Sequence, residues 1–250
     1  MEKIDENKHK RIALLIDGDN AQPSLISQIL AEAGKYGSVT IRRIYGDWTK
    51  ANMSGWKDTL NNYAIQPIQQ FRYTVGKNAT DSAMIIDAMD ILHSGLVDGF
   101  CIVSSDSDYT RLATRIRESG VFVMGIGKET TPKAFVNACN VFIYTENLSA
   151  EIKSLGKKLR YKGAKETPTV TDKPDPIPLL NKAIEMAMQE DGWANLATTG
   201  FYLHQLDPGF DPRSYGHKQL SSLVKSYPER FELKFQNETG ITTVFIRAKE

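Results

Sequence analysis

Between Arg11 and Thr145 the spacing of hydrophobic positions alternates between two periods. "RIALLID" (11–17) is an unbroken apolar run of strand length that ends in an acid. "AQPSLISQILAEAGKYG" (21–37) has helical spacing and a glycine stop, and "SVTIRRIYGD" (38–47) is β-branched and alternating. A helix is predicted over "MSGWKDTLNNYA" (53–64), a strand or extended segment over "IQPIQQFRY" (65–73) and a long amphipathic helix over "TDSAMIIDAMDILHSG" (80–95). The pattern continues with strand "GFCIVSSD" (99–106), helix "SDYTRLATRIRESG" (107–120), strand "VFVMGIG" (121–127), helix "TPKAFVNAC" (131–139) and strand "VFIYT" (141–145). Strict alternation of this kind implies right-handed βαβ units, a mainly parallel sheet and helices on both faces. The ligand site of such a sheet lies at the carboxyl ends of its strands.

The character changes after residue 148. Residues 149–176 are polar and Lys-rich and end in prolines, so they read as a basic linker with little to bury. They are either a solvated hinge or a tether for phosphates. From Ile177 to residue 248 three helical segments, "PLLNKAIEMAMQEDG", "NLATTGFYLHQL" and "YGHKQLSSLVKSY", precede two strands around the turn "NETG". That order predicts a small winged helix-turn-helix domain.

Composition is ordinary for a globular chain of 250 residues: 41% hydrophobic, 24% charged, net charge +1. The small net charge neither demands nor excludes nucleic acid, so any such case rests on local patches. No apolar run approaches the roughly 20 residues that span a bilayer, and the polar start does not resemble a secretory signal. A cytoplasmic location without membrane association is expected. Cys101 and Cys139 sit among apolar neighbours and read as buried reduced thiols. His9, His93, His204 and His217 are scattered, without zinc spacing.

Acids gather at predicted strand ends and helix starts. Asp17 and Asp19 follow the first strand, Asp106 and Asp108 follow "GFCIVSS", and Asp81 opens the long helix. Asp81 and Asp108 each also fit a helix N-cap. Together, three loops on one sheet edge offer carboxylates to a common place, where their mutual repulsion calls for a cation. An all-carboxylate set suits Mg²⁺ or Mn²⁺, which activates water against a phosphoryl group without a side-chain nucleophile. Asp17 is the favoured ligand of the first pair; Asp19 is expected to form the turn or support the site.

Around this set, Asn20 could orient Asp17 or a water, and Ser104 and Ser105 could bond the Asp106 carboxylate or a phosphate. Lys77 is either a phosphate contact or a solvated lysine. Asp87 lies about 120° around the helix from Asp81, which assigns it a supporting role, and Asp90 fits a solvent face. Asp47 serves a turn or the same cleft. Arg42, Arg43 and Arg72 are candidates for a backbone track, although alternation places Arg42 and Arg43 on opposite faces. Trp48 and Trp56 are assigned to packing ahead of base stacking.

Asp17-Gly18-Asp19-Asn20, Thr80-Asp81 with Asp87, and "VSSDSDYTRLATRIRESGVFVMGIG" together resemble the NYN domain, the LabA-like branch of the PIN-like nuclease superfamily. The resemblance spans residues 11–148. It implies an α/β PIN-like fold and Mg²⁺- or Mn²⁺-dependent cleavage of RNA, with Asp17, Asp81, Asp106 and Asp108 as the metal-binding acids. Where the family shows S-G-D-x-D-F, this chain has Ser104-Ser105-Asp106-Ser107-Asp108-Tyr109. Ser105 in place of Gly asks for a turn without positive φ, or for strain. Residues 177–248 resemble the OST-type helix-turn-helix, or LOTUS domain, through Asp191-Gly192-Trp193, Phe210-Asp211-Pro212 and Tyr215-Gly216-His217-Lys218-Gln219-Leu220. This implies RNA binding or docking of a protein partner. Trp193, Phe210, Leu220 and Leu223 are expected in its core, and His217, Lys218, Lys225 and Arg230 at RNA, with "YGHKQLSSLV" as the reading helix.

The leading function is therefore a metal-dependent ribonuclease with an RNA-targeting domain. The alternative is a non-catalytic RNA-binding adaptor that retains the fold. "DGDNA" also resembles the D-x-D-x-T/V start of aspartate-nucleophile phosphatases, but Ala21 occupies the position of Thr or Val.

Overall fold

The computed structural model describes residues 10–71, 79–149, 174–238 and 241–249. Lys77, Arg72 and nearly all of the expected linker lie outside these residues. The chain divides into two compact units, residues 1–156 and 157–250.

The first unit alternates as its periodicity predicts. Its order is β1 (Arg11–Asp17), α1 (Ile26–Gly34), β2 (Ser38–Gly46), α2 (Lys57–Asn62), β3 (Gln66–Gln69), α3 (Ala79–Ser94), β4 (Gly99–Val103), α4 (Thr110–Glu118), β5 (Phe122–Gly127), α5 (Lys133–Ala138) and β6 (Val141–Tyr144). The six strands form one parallel sheet in the order β3-β2-β1-β4-β5-β6.

Central strand β1 is apolar because both of its faces are covered. Ile12, Leu14 and Ile16 pack with Ile26 and Ile29 of α1 and with Met53 and Trp56. Ala13 and Leu15 face the opposite core, built from Met84 and Ala88 of α3, Leu112 and Ile116 of α4, and Phe135 of α5. Each large side chain buried in this way contributes about 1.5–3 kcal/mol. Asp17 continues the odd-numbered face, so the alternation that fills the second core also delivers this acid to the α3 side. The strand order reverses between β1 and β4, the position at which an open α/β sheet leaves a crevice. Helix α3 carries the chain from the β3 edge to the centre and packs on β1, β2 and α4.

Cys101 and Cys139 are free and buried. Burial pushes both thiols up, Cys139 to about 12. Trp56 is fully buried, and Trp48 donates its indole N–H to the Ile68 carbonyl, so both serve packing. Asp47 accepts from Thr49 and Gln69 and is a turn residue.

The second unit runs α6 (Ile177–Ala187), β7 (Ala194–Asn195), α7 (Leu196–Leu206), α8 (Leu220–Lys225), β8 (Phe231–Glu238) and β9 (Ile241–Ala248). Its antiparallel sheet has the order β7-β9-β8. Leu180, Ile184, Leu203, Phe210, Leu223, Phe231 and Ile246 form its core, and Leu220 packs against it. The Asn195 side chain caps α7 by accepting from the amides of Ala197 and Thr198.

Two expectations are corrected here. The predicted helix 215–227 is helical only over Leu220–Lys225. Asp211 caps a separate 3₁₀ turn, Pro212–Tyr215, Gly216 takes the left-handed conformation at φ 80°, and Gln219 is extended. Trp193 is half-buried outside the core, with the Arg247 guanidinium 4.6 Å and the Lys234 ammonium 5.7 Å from its ring centroid.

Candidate active site

At the carboxyl edge of the sheet, one oxygen from each of Asp81, Asp106 and Asp108 comes within 4.8 Å of the others. Asp81 is in the first turn of α3. Asp106 leaves β4 in an extended conformation (φ −84°, ψ 136°), and its carboxylate accepts from the Asp108 amide at 2.9 Å, capping the 3₁₀ turn Ser107–Tyr109 that leads into α4. Asp106 is therefore the cap. Asp108 lies within the turn and Asp81 within the helix, so neither is an N-cap.

Asp17 is 1% exposed. Its Oδ2 accepts from the Asn20 amide (2.6 Å) and the Ser104 hydroxyl (2.9 Å), and its Oδ1 from the Asp19 backbone amide (3.1 Å). Burial raises the Asp17 carboxyl above its ordinary value and the Asp81 charge adds to this, against the pull of its hydrogen bonds. Asp19 itself is exposed. Gly18 is required between the two acids: a Cβ there would lie 2.8 Å from the Tyr45 carbonyl oxygen.

Ser104 also accepts from the Asp106 amide (3.1 Å) and does not bond the Asp106 carboxylate. Ser105 accepts from the Lys128 amide at 2.9 Å, which ties the loop after β4 to the loop after β5. Among the described residues, Ala64 alone has positive φ without being glycine, so Ser105 occupies its turn without that strain.

Asp87 is turned toward β2. It accepts from Arg43 at 2.5 Å and from the Tyr45 hydroxyl, pinning α3 to the sheet. This hydrogen bond raises Arg43, and burial followed by Asp87 raises Tyr45, so both remain donors. Arg42 points elsewhere, to the carbonyls of Val39 and Tyr63. Asp90 is exposed.

Two groups escaped sequence reasoning. The Tyr109 hydroxyl donates to Asp81 Oδ1 at 2.7 Å, and burial with the Asp17 and Asp81 charges raises the phenol far above its ordinary value. Tyr in place of the family's Phe was the available signal. Thr80 is 1% exposed, and its Oγ1 has no hydrogen-bond partner among the described residues.

These residues fit a hard divalent cation. The donors are all oxygen, and the three carboxylates come from two separate places, the first turn of α3 and the turn after β4. The buried Thr80 hydroxyl beside Asp81 in sequence has no partner among the described residues. In the second unit, His217 is half-buried and Lys218 exposed in the loop before α8. Arg230 is exposed, and Lys225 lies 5.0 Å from the Phe235 ring centroid.

The family pattern of the NYN domain matches residues 11–149, more than half of the chain, and that of the OST-HTH/LOTUS domain matches residues 171–242. The chain belongs to the NYN domain family and carries an OST-HTH/LOTUS domain after it. Among solved structures, an uncharacterized protein of Nitrosomonas europaea is 30% identical over 36% of this chain and 90% of its own, with a TM-score of 0.30. A Chromobacterium violaceum protein is 32% identical over 31% and 84%, with a TM-score of 0.26. A Vibrio parahaemolyticus protein of unknown function is 18% identical over 56% and 94%, with a TM-score of 0.46. No curated protein matches the chain. Among the described residues, no helix is long and apolar enough to cross a membrane.

Proposed function

We propose that the chain is a Mg²⁺- or Mn²⁺-dependent ribonuclease that hydrolyses RNA phosphodiester bonds, with a C-terminal domain that binds or targets RNA. The observation that carries this reading is the approach of Asp81, Asp106 and Asp108 within an NYN unit. These three acids would hold the cation. Asp17, the ligand favoured from sequence, is outside their group, both of its oxygens accepting from the protein, and is proposed as the fourth acid that supports them. When bound, the ion supplies Lewis acidity and a hydroxide-generating water. Tyr109, Asn20 and Ser104 keep the carboxylates in place. His217, Lys218, Lys225 and Arg230 are the proposed RNA contacts of the second unit, and linkage of two weak sites raises the effective RNA concentration.

The test is cleavage of labelled single-stranded RNA by the full chain with Mn²⁺, with Mg²⁺ and with EDTA. Asp106→Asn preserves the cap, since Asn caps as well as Asp, but removes the charge. Metal-dependent cleavage lost in this variant supports the proposal. Equal cleavage by both proteins, or tight metal-independent binding without turnover, rejects it; the latter favours the adaptor reading.

A further inference from the structure

Among the described residues, the Tyr109 phenol joins Asp81 to the core beneath the sheet edge. The Tyr109 ring is 0% exposed and packs 6.4 Å from the Phe135 ring, so its hydroxyl has little freedom to move. That hydroxyl donates to Asp81 Oδ1 at 2.7 Å. It takes one lone pair of Oδ1 and so restrains how the carboxylate can turn toward a cation.

The size of the cation decides what this means. Mg²⁺ demands near-octahedral geometry and takes carboxylates through one oxygen, whereas Ca²⁺ accepts 6–8 ligands and readily takes a carboxylate through both. We propose that Tyr109 is a positioning residue that restrains the Asp81 carboxylate from turning both oxygens toward a cation and so biases the centre toward Mg²⁺ and Mn²⁺ over Ca²⁺. The inference rests on the metal-dependent reading above and adds to it the source of cation preference. A Phe at this position would leave the ring packing intact and remove the donor that orients the Asp81 carboxylate.

The experiment is Mn²⁺ binding followed by electron paramagnetic resonance on the full chain, with Ca²⁺ as competitor, for wild type, Tyr109→Phe and Asp106→Asn. The ratio of the two affinities is taken within each protein, which cancels a general loss of stability. Removal of a partner that orients a metal ligand changes affinity by about 10–100-fold. The expected result is a shift of the ratio toward Ca²⁺ by about tenfold in Tyr109→Phe. An unchanged ratio overturns the role of Tyr109 and leaves the ribonuclease reading standing. Failure of wild type to bind more Mn²⁺ than Asp106→Asn overturns both. A second measurement needs only wild type and Asp81→Asn: the infrared carboxylate bands assigned by their difference keep the one-oxygen pattern with Ca²⁺. A two-oxygen pattern for Asp81 overturns the proposal.

Discussion

The Ser104 hydroxyl donates to Asp17 Oδ2 at 2.9 Å while accepting from the Asp106 amide at 3.1 Å. One small side chain thus fixes the end of β1 to the loop after β4, across the place where the strand order reverses. Ser104→Ala leaves a buried carboxylate short of a donor and should lower stability by about 1–3 kcal/mol. Urea denaturation measures this. RNA cleavage should fall further than stability accounts for, because Asp106 loses the acceptor for its amide.

The raised carboxyl of Asp17 gives a defined pH signature. The folded chain holds this proton more tightly than the unfolded chain. The associated stability is fully present below the unfolded value of about 3.9 and is lost as pH rises through the raised folded value. In EDTA, the stability difference between wild type and Asp17→Asn should therefore move in favour of the variant as pH rises. The substitution's other effects are a pH-independent offset. Denaturation at a series of pH values gives the slope, and an opposite slope contradicts the assignment.

Asp87 should matter for stability first. Asp87→Ala strands the Arg43 guanidinium and the Tyr45 hydroxyl, both turned toward α3. A loss of about 2–4 kcal/mol in thermal or chemical unfolding is expected. Asp87→Asn, which still accepts one hydrogen bond, should lose less.

Gly18→Ala meets one yielding neighbour and one rigid one. The Met53 methyl, 2.7 Å from the added Cβ, can swing aside, but the Tyr45 carbonyl oxygen at 2.8 Å belongs to β2 and also accepts the Gly18 amide. The variant should be destabilised by about 1–3 kcal/mol, and cleavage should drop because Asp17 adjoins the displaced residue and its hydrogen-bond partner Asn20 lies two positions on.

For the second unit, Lys218→Ala and Arg230→Ala should each weaken RNA binding across all sequences. Each should also reduce the salt slope of log K by about one. Fluorescence anisotropy at several salt concentrations checks both, and an unchanged slope removes the residue from the interface.

The sheet was legible in the sequence because a strand covered on both faces needs an apolar run, and "RIALLID" and "GFCIV" have few other uses. That acids after β1, after β4 and at the start of α3 share one edge followed from parallel order. The group that closes to within 4.8 Å, however, is Asp81, Asp106 and Asp108, and Asp17, the ligand favoured from sequence, is outside it. Which acid caps a helix did not: that depends on where the chain leaves the extended conformation, and it does so at Asp106. The helix read over 215–227 failed because hydrophobic spacing continues through Gly216, where the backbone turns left-handed. The sequence around Trp193 points to the core, whereas the cations beside its ring, Lys234 and Arg247, arrive from strands far along the chain. The Tyr109 hydroxyl is not legible in the motif, because that position reads there as an aromatic ring and its partner Asp81 lies 28 residues away.

The strand order also sets a timetable. Strands β1 and β4 are neighbours, yet Ser104 and Asp17 are 87 residues apart in sequence. A chain made from its N-terminus exposes Asp17 long before it can supply Ser104, Asp106 or Tyr109, and non-local parallel pairing is slow to close. Until β4 has emerged and inserted beside β1, the strand carrying "DGDN" has an open edge and its acids have no common pocket. A nascent chain stopped short of Tyr109 holds nearly half of the sequence and none of the assembled acid group, so these carboxylates can come together only after β4 and the turn behind it have been made.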